Sequence, residues 1–253
     1  MRARHPQAFD MNQRPPVLFV HGFIGTLDVA GYAHPHAAPD LLGYGQYQTV
    51  PFEAVSLPGQ VEHLRSLVDA RFEGGPVDVV GHSVGGAIAM LFAHAYPGHV
   101  RRIVNVEGNF TLADAFWSAS VGRMSQNEAD AMLAGFRADP LAWISGSVTV
   151  PGPHLAETAA RWLAHQPAST LRAMGRSVVT TTDNAAYLTA LAQVFDRHPV
   201  YLLAGERSRA GWNVPDWALE KCAGQHTLAD SGHLMMQDDP SAFTAAIQRF
   251  LED

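Results

Sequence analysis

Short apolar runs alternate with stretches of helical periodicity through most of the chain. Residues 15–20 are apolar, rich in β-formers and stopped by a glycine, so they predict a short buried strand. Residues 58–72 carry apolar side chains at every third or fourth position, which predicts one face of a helix. Strands at 77–80 and 100–106 enclose a predicted helix at 87–96. Strand, turn, helix, strand in this order is typical of a parallel sheet with crossover helices.

The strand pattern stops in the middle of the chain and returns near its end. Between 110 and 196 the periodicity is helical, with candidate helices at 125–138, 154–165, 167–178 and 183–195. Outside that segment, further strands are predicted at 36–40, 199–204 and 225–228, and further helices at 214–222 and 240–251. The pattern therefore predicts an α/β core made of residues 1–109 and 197–253, interrupted by a helical insertion at 110–196.

Composition narrows the possible classes of function. The 253 residues are 47% hydrophobic and only 16% charged, which fits a globular protein with a large interior. A net charge of −7 without a basic run argues against nucleic-acid binding. One cysteine, no apolar run of signal-peptide length and none of membrane-spanning length predict a cytoplasmic protein without a membrane span. The histidines are scattered without metal-ligand spacing, so no metal site is expected.

The segment Gly81-His-Ser-Val-Gly85 fits the pattern G-x-S-x-G. It lies between a predicted strand and a predicted helix, which is the context that this motif requires. A serine on such a sharp turn projects its hydroxyl from the carboxyl end of the sheet, and the small neighbours let strand and helix approach closely. The motif predicts Ser83 as a nucleophile, with a glycine-rich turn around an incidental serine as the plain alternative.

A second glycine-containing loop, His21-Gly-Phe-Ile-Gly25, follows the first strong strand. An oxyanion is stabilised by two backbone N–H groups that converge on one point. Val84, just after the nucleophile, and Phe23, in this loop, are the predicted donors. The alternative is an ordinary turn that ends a strand.

Together with Pro39-Asp-Leu-Leu-Gly-Tyr-Gly45 and Asp230-Ser-Gly-His233, these motifs resemble the α/β-hydrolase superfamily over nearly the whole chain. The resemblance implies a mostly parallel sheet flanked by helices, a helical cap or lid at the insertion, and no cofactor. Few residues precede His21, so the leading antiparallel strands of the family are expected to be reduced. The stretch between Phe23 and Asp40 is short, so the first crossover helix is expected to be truncated.

The resemblance also implies a base and an acid. His233 stands in the loop where the family places its base, and a serine hydroxyl needs such a neighbour. The family usually has an aspartate in the turn after the strand that follows the lid, but this turn reads Gly205-Glu-Arg-Ser208. Some relatives place a glutamate at the end of the strand after the nucleophile helix, which is Glu107 here. We therefore predict Glu107 as the acid, with Glu206 as the alternative. Weaker candidates are Asp114, Asp183, Asp196 and Asp216.

A serine–histidine pair suits attack on an ester, lactone or thioester carbonyl. We expect a serine hydrolase that cleaves a carboxylic ester or lactone of a hydrophobic small molecule through an acyl-enzyme on Ser83. The same fold also supports hydrolysis of carbon–carbon bonds, thioester hydrolysis or acyl transfer, and cofactor-free peroxidation, and a non-catalytic ligand-binding protein is a further alternative. Phe116 and Trp117 are the predicted pocket residues, although aromatic residues of the insertion equally suit its own core. The sequence predicts no oligomeric state.

Overall fold

A sheet of six parallel strands forms the centre of the molecule. The computed structural model describes residues 14–252, apart from 28 and 30. The strands are β1 (Val17–Val20), β2 (His36–Ala37), β3 (Val77–His82), β4 (Val100–Val106), β5 (Val200–Gly205) and β6 (Gly224–Leu228). Their order in the sheet is β2-β1-β3-β4-β5-β6, and every neighbouring pair is parallel. The predicted α/β class with a mostly parallel sheet is confirmed.

Helices lie between and after these strands. In chain order they are α1 (Leu57–Phe72), α2 (Val84–Ala95), α3 (Phe116–Arg123), α4 (Gln126–Ala138), α5 (Pro140–Ser145), α6 (His154–Ala164), α7 (Ala168–Thr182), α8 (Ala185–Arg197), α9 (Asp216–Lys221), α10 (Met235–Asp238) and α11 (Pro240–Glu252). Among the described residues between β1 and β2 there is no helix. None of the helices in the described ranges is long and apolar enough to cross a membrane.

Both faces of the central sheet are covered, which explains why β1 and β5 read as continuous apolar runs. Leu18 and Val20 of β1 pack into one buried cluster, which also contains residues of α1, α2 and α8. Val17 and Phe19 of the same strand point into a second cluster with α11. Because side chains alternate along a strand, a strand between two apolar layers has no polar face.

The chain between β4 and β5 contains six helices, α3 to α8, and no strand. The sequence pattern missed α3, where serines and a glycine lower helix propensity. Tertiary packing offsets that cost, since a Cβ added at Gly122 of α3 would lie 2.3 Å from the backbone of Gly175 on α7. The two helices thus touch backbone to backbone. Also missed were α5 and the single turn of α10.

A buried ion pair holds the edge of the sheet opposite the carboxyl ends of the strands. The Asp78 side chain on β3 is only 2% exposed and is bound by the Arg101 guanidinium of β4 through two nitrogens, with Nε at 2.8 Å from Oδ1. Burial raises the pKa of the Asp78 carboxyl, and the bonds to Arg101 oppose that effect. Arg101 also donates to the Leu251 carbonyl at the end of α11, and Arg102 donates to the neighbouring Phe250 carbonyl.

We expect Arg101→Met to lower the free energy of unfolding by about 3 kcal/mol at pH 7, because it leaves the Asp78 carboxylate buried without its partner. Arg102→Met is the matched control, since it removes a cation and one bond to α11 but leaves the ion pair intact, and it should cost about 1 kcal/mol or less. Urea unfolding of both variants measures the difference. Equal losses would contradict a special role of the pair.

Candidate active site

Ser83 occupies a strained turn between β3 and α2. Its backbone has φ 56° and ψ −125°, a region that residues with a side chain rarely adopt. The Ser83 N–H donates to the Val106 carbonyl at the end of β4, and the Ser83 carbonyl accepts from Gly86 N at 2.8 Å. These bonds hold the turn, so the hydroxyl stands at the carboxyl end of the sheet. The pattern prediction of this turn matches the observed backbone.

Two glycines make the close approach at this turn possible. An added Cβ at Gly85 would lie 2.3 Å from the Val20 carbonyl oxygen at the end of β1, so α2 starts in direct contact with that strand. A Cβ at Gly22 would lie 3.0 Å from the His82 ring and 3.2 Å from Ser83 Cβ. The loop after β1 therefore lies against the serine, and only small residues fit between them.

His233 and Glu107 form a direct hydrogen-bonded pair. His233 lies in the loop after β6, and its Nδ1 is 2.6 Å from Glu107 Oε2. The Glu107 side chain is 3% exposed and the His233 side chain is 41% exposed. Since a carboxylate only accepts, Nδ1 carries the proton and Nε2 is left as the acceptor nitrogen. Ser83, Glu107 and His233 line the same cavity. Within the described residues no hydrogen bond links the Ser83 hydroxyl to the His233 ring, as is common before substrate tightens such sites.

Glu107 is held by two further donors from the turn after β5. Its Oε1 accepts from the Gly205 backbone N–H at 2.8 Å and from the Ser208 hydroxyl at 2.6 Å. Glu107 itself has φ 43°, so its backbone bends sharply where β4 ends. Ser208 stands where the family usually has its aspartate, and here it donates to the glutamate. From the sequence, Ser208 is evident only as the residue that replaces the usual aspartate, and its role as a donor to Glu107 is not.

The alternative acid has a different neighbour. Glu206 is exposed, and its Oε2 accepts from the Asp230 backbone N–H at 3.0 Å. The structure thus brings Glu107, and not Glu206, to the His233 ring. Among the weaker candidates, Asp114 lines the cavity without contacting His233, and Asp183, Asp196 and Asp216 lie outside it. The choice between the two glutamates depends on the sharp bend at Glu107, which no sequence pattern reveals.

The His21 ring anchors the loop after β1 through two hydrogen bonds to the backbone. The ring is 3% exposed, with Nδ1 2.9 Å from the Gly22 carbonyl and Nε2 3.3 Å from the Leu41 N–H. Nδ1 therefore donates and Nε2 accepts, which requires the neutral ring. Burial lowers the pKa of His21 to about 4. The two predicted oxyanion donors are the backbone N–H groups of Phe23 and Val84. Among the described residues, no acceptor is bonded to either N–H.

His82 supports the histidine rather than the serine. Its Nε2 donates to the His233 carbonyl at 2.9 Å, and the two rings lie 4.6 Å apart between centroids. Burial, followed by the nearby His233, lowers the pKa of His82 well below its ordinary value, so the ring stays neutral. A neutral donor fixes the loop that carries His233 without adding a charge beside it.

A cavity of about 540 Å³ opens in front of Ser83. Six aromatic residues line it together with small and polar residues: Phe23, Trp117, Phe136, Trp143, Trp162 and Trp212. Phe116 also lines it but is 71% exposed, so it lies at the opening. Both predicted pocket residues, Phe116 and Trp117, therefore line the cavity. No sequence pattern points to Trp212, which lies after β5. Among the described residues no group of three potential ligands is arranged to hold a metal ion.

Asp238 joins the loop after α5 to the loop that carries His233. Its Oδ1 accepts from the Thr149 N–H at 2.5 Å, and its Oδ2 accepts from the Gly232 N–H at 2.7 Å. Thr149 belongs to the helical segment between β4 and β5, and Gly232 directly precedes His233. One carboxylate thus connects the two parts of the chain that meet at the cavity.

Comparisons with known proteins identify relatives of the chain. Residues 17–247 match the model of the Alpha/beta hydrolase family. An uncharacterized protein of Mycobacterium tuberculosis is 27% identical over 94% of this chain and 75% of its own length. Lipase LipV of the same organism is 40% identical over 101 residues, which are 40% of this chain and 34% of that protein. A thermophilic esterase from Thermogutta terrifontis shares the fold, with a TM-score of 0.71 at 20% identity over 95% of this chain and 90% of that one.

The buried His21 ring predicts a loss of stability in acid. Because its pKa is lowered from 6.5 to about 4, the unfolded chain binds the proton more readily than the folded one. The contribution of neutral His21 to the free energy of unfolding is therefore fully present above pH 6.5 and is lost as the pH falls toward about 4. His82, whose pKa is also lowered, contributes in the same direction. We expect the loss between pH 7 and pH 4.5 to be about 2 kcal/mol smaller in His21→Gln than in the unmodified protein. Urea unfolding at both pH values measures it, and equal losses would refute the assignment.

Proposed function

Because the chain belongs to the Alpha/beta hydrolase family, we propose that it cleaves a carboxylic ester or lactone of a hydrophobic small molecule, with Ser83 as nucleophile. The observation that carries this proposal is the pair formed by His233 Nδ1 and the buried Glu107 carboxylate, next to a serine on a strained turn. Such a pair leaves a basic imidazole nitrogen directed at the same cavity as the hydroxyl.

In the first half of the reaction the Ser83 hydroxyl adds to the ester carbonyl. Its proton passes to His233 Nε2, and the negative charge on the carbonyl oxygen is stabilised by the N–H groups of Phe23 and Val84. Glu107 accepts the His233 Nδ1–H throughout and stabilises the imidazolium that forms. Collapse of the tetrahedral intermediate breaks the bond to the alcohol oxygen, which leaves with the proton from Nε2. The acyl group stays on Ser83.

In the second half water replaces the alcohol. His233 Nε2 takes a proton from the water as its oxygen adds to the acyl carbonyl, and the same two N–H groups hold the second oxyanion. When the intermediate collapses, the bond to Ser83 Oγ breaks and the serine regains its proton from His233. The products are one carboxylic acid and one alcohol, and no redox step or cofactor takes part.

Residues 110–196 are proposed to act as the lid of this site. The support is that helices α3, α4 and α6, which lie in this segment, supply Trp117, Phe136 and Trp162 to the cavity wall. The strands and their loops supply Ser83, Glu107 and His233. An apolar wall over a polar reaction centre binds the hydrophobic part of a substrate and excludes water around it.

The acid assignment is tested with a short p-nitrophenyl ester. We expect Glu107→Gln to lower kcat by about a thousandfold or more, because the amide no longer stabilises the His233 imidazolium. Glu206→Gln is the matched control: it removes the same charge directly after β5 and should stay within about twofold of the unmodified enzyme. Ser83→Ala should abolish both turnover and labelling by a fluorophosphonate probe.

Each other outcome has a distinct meaning. Loss in Glu206→Gln with an active Glu107→Gln would keep the hydrolase and transfer the acid to Glu206. A folded protein inert to every short or medium acyl ester and to the probe would contradict the proposal and favour a ligand-binding protein.

Ser208 is expected to act by positioning Glu107. In Ser208→Ala the carboxylate loses its hydroxyl donor, and we expect kcat to fall about tenfold while KM for the ester stays unchanged. Ser208→Thr keeps the hydroxyl and should recover most of the rate. A fall in both variants, or a rise in KM without a change in kcat, would show that Ser208 acts on the substrate pocket instead.

A further inference from the structure

The carboxylates in the cavity are not balanced by cationic side chains. Glu107 and Asp114 both line it, and among the described residues that do so there is no lysine or arginine. Glu107 is already bound by His233 and Ser208. Asp114 takes part in none of these contacts, so it is a second acidic group that the proposed reaction does not use.

Asp114 is bound only by uncharged donors. Its Oδ2 accepts from the Phe110 N–H at 2.9 Å and its Oδ1 from the Thr111 N–H at 3.1 Å. The Asn109 amide nitrogen lies 3.5 Å from Oδ1 and donates to the Asp114 carbonyl at 3.1 Å. No ion pair of Asp114 is present in the described part of the chain. These bonds fix the carboxylate in the wall but leave its negative charge uncompensated.

The rings beside Asp114 add to this electrostatic character. Phe116 and Trp117 follow it by two and three residues in sequence. Trp117 packs on Phe23 with centroids 5.3 Å apart and on Phe136 at 6.5 Å. The face of an aromatic ring attracts a cation, most strongly where water is excluded. The Coulomb attraction between a half-buried carboxylate and a cation is stronger in an aromatic cavity than in water, because the dielectric constant there is lower.

We propose that the cavity selects organic ligands with a positive charge, such as a quaternary ammonium group, over anionic ones, and that Asp114 supplies the counter-charge. That this ligand is the substrate rests on the proposed function. It narrows the ester to one with a neutral or cationic body and excludes esters that carry a carboxylate or phosphate.

The selectivity depends on pH. Burial raises the pKa of the Asp114 carboxyl to about 6, although its backbone donors oppose the shift. The counter-charge is therefore present at pH 8 and is lost as the pH falls through about 6. Other titratable groups face the same space: Glu107, His82 and His233 line the cavity, and Tyr187 donates to the Asn109 carbonyl. These groups can also change the affinity for charged ligands with pH. The contribution of Asp114 is therefore the part of that pH dependence that disappears in Asp114→Asn.

Calorimetric binding to the full chain tests the inference without any turnover. The ligands are phenyltrimethylammonium, its neutral isostere tert-butylbenzene and the anion benzenesulfonate. At pH 8 we expect the cation to bind at least about tenfold more tightly than the anion, with the neutral ligand between them. The ratio should fall toward one in Asp114→Asn and, in the unmodified protein, at pH 5. Asp216→Asn removes the same charge from an exposed position outside the cavity and should keep the ratio.

The unmodified protein alone can overturn the inference. Benzenesulfonate binding as tightly as the cation at pH 8, or no binding of the cation at millimolar concentration, would refute it. An unchanged ratio in Asp114→Asn would also refute it, and if that variant does not fold, Asp114→Thr replaces it because a hydroxyl can still accept from the backbone. Because binding is measured, an enzyme without esterase activity can still support the inference, and an active esterase without charge preference overturns only this inference.

Discussion

A carboxylate that is almost fully buried is costly unless donors surround it, and Glu107 has three: the His233 ring, the Gly205 backbone and the Ser208 hydroxyl. These donors come from the last residue of β5 and from the loops after β5 and β6, while Glu107 directly follows β4. The need to satisfy one charge thus draws the ends of three neighbouring strands to one point. Ser83 reaches that point from β3 through its bond to the Val106 carbonyl, directly before Glu107. The parallel sheet supplies the alignment, because all its strands end at the same edge.

Two neutral histidines near this charge hold the surrounding loops through hydrogen bonds to the backbone. His21 connects the loop after β1 to Leu41, and His82 fixes the backbone of His233. Burial keeps both rings uncharged, so each has one donor and one acceptor nitrogen in fixed roles. Asp238 performs a similar task at the boundary with the helical segment, where two backbone N–H groups share its carboxylate. The site is therefore positioned mainly by bonds to the backbone, which depend little on side-chain flexibility.

The sequence predicts the sheet well because β1 and β5 are buried along their whole length and read as unbroken apolar runs. It also predicts Ser83, since glycines at 81 and 85 are needed wherever a strand and a helix meet so closely. It fails at α3, where backbone contact with α7 outweighs poor helix propensity. It ranks Glu107 above Glu206 only through the resemblance, because the backbone bend at Glu107 has no sequence signal. Asp114 looks like a residue of a surface turn, and only the assembled aromatic wall makes it part of a cavity.

The contact between Trp162 and Gly25 has a consequence for how this chain diverges. Gly25 has φ 89°, and a Cβ there would lie 2.5 Å from the indole of Trp162. Helix α6, which carries Trp162, and the loop after β1, which precedes it in the chain by more than a hundred residues, are therefore constrained to change together. Trp117, Phe136 and Trp143 instead pack on other aromatic rings, which can be exchanged together as the ligand changes. Homologues that acquire new ligands are expected to keep the glycine–tryptophan pair and to vary the remaining aromatic positions.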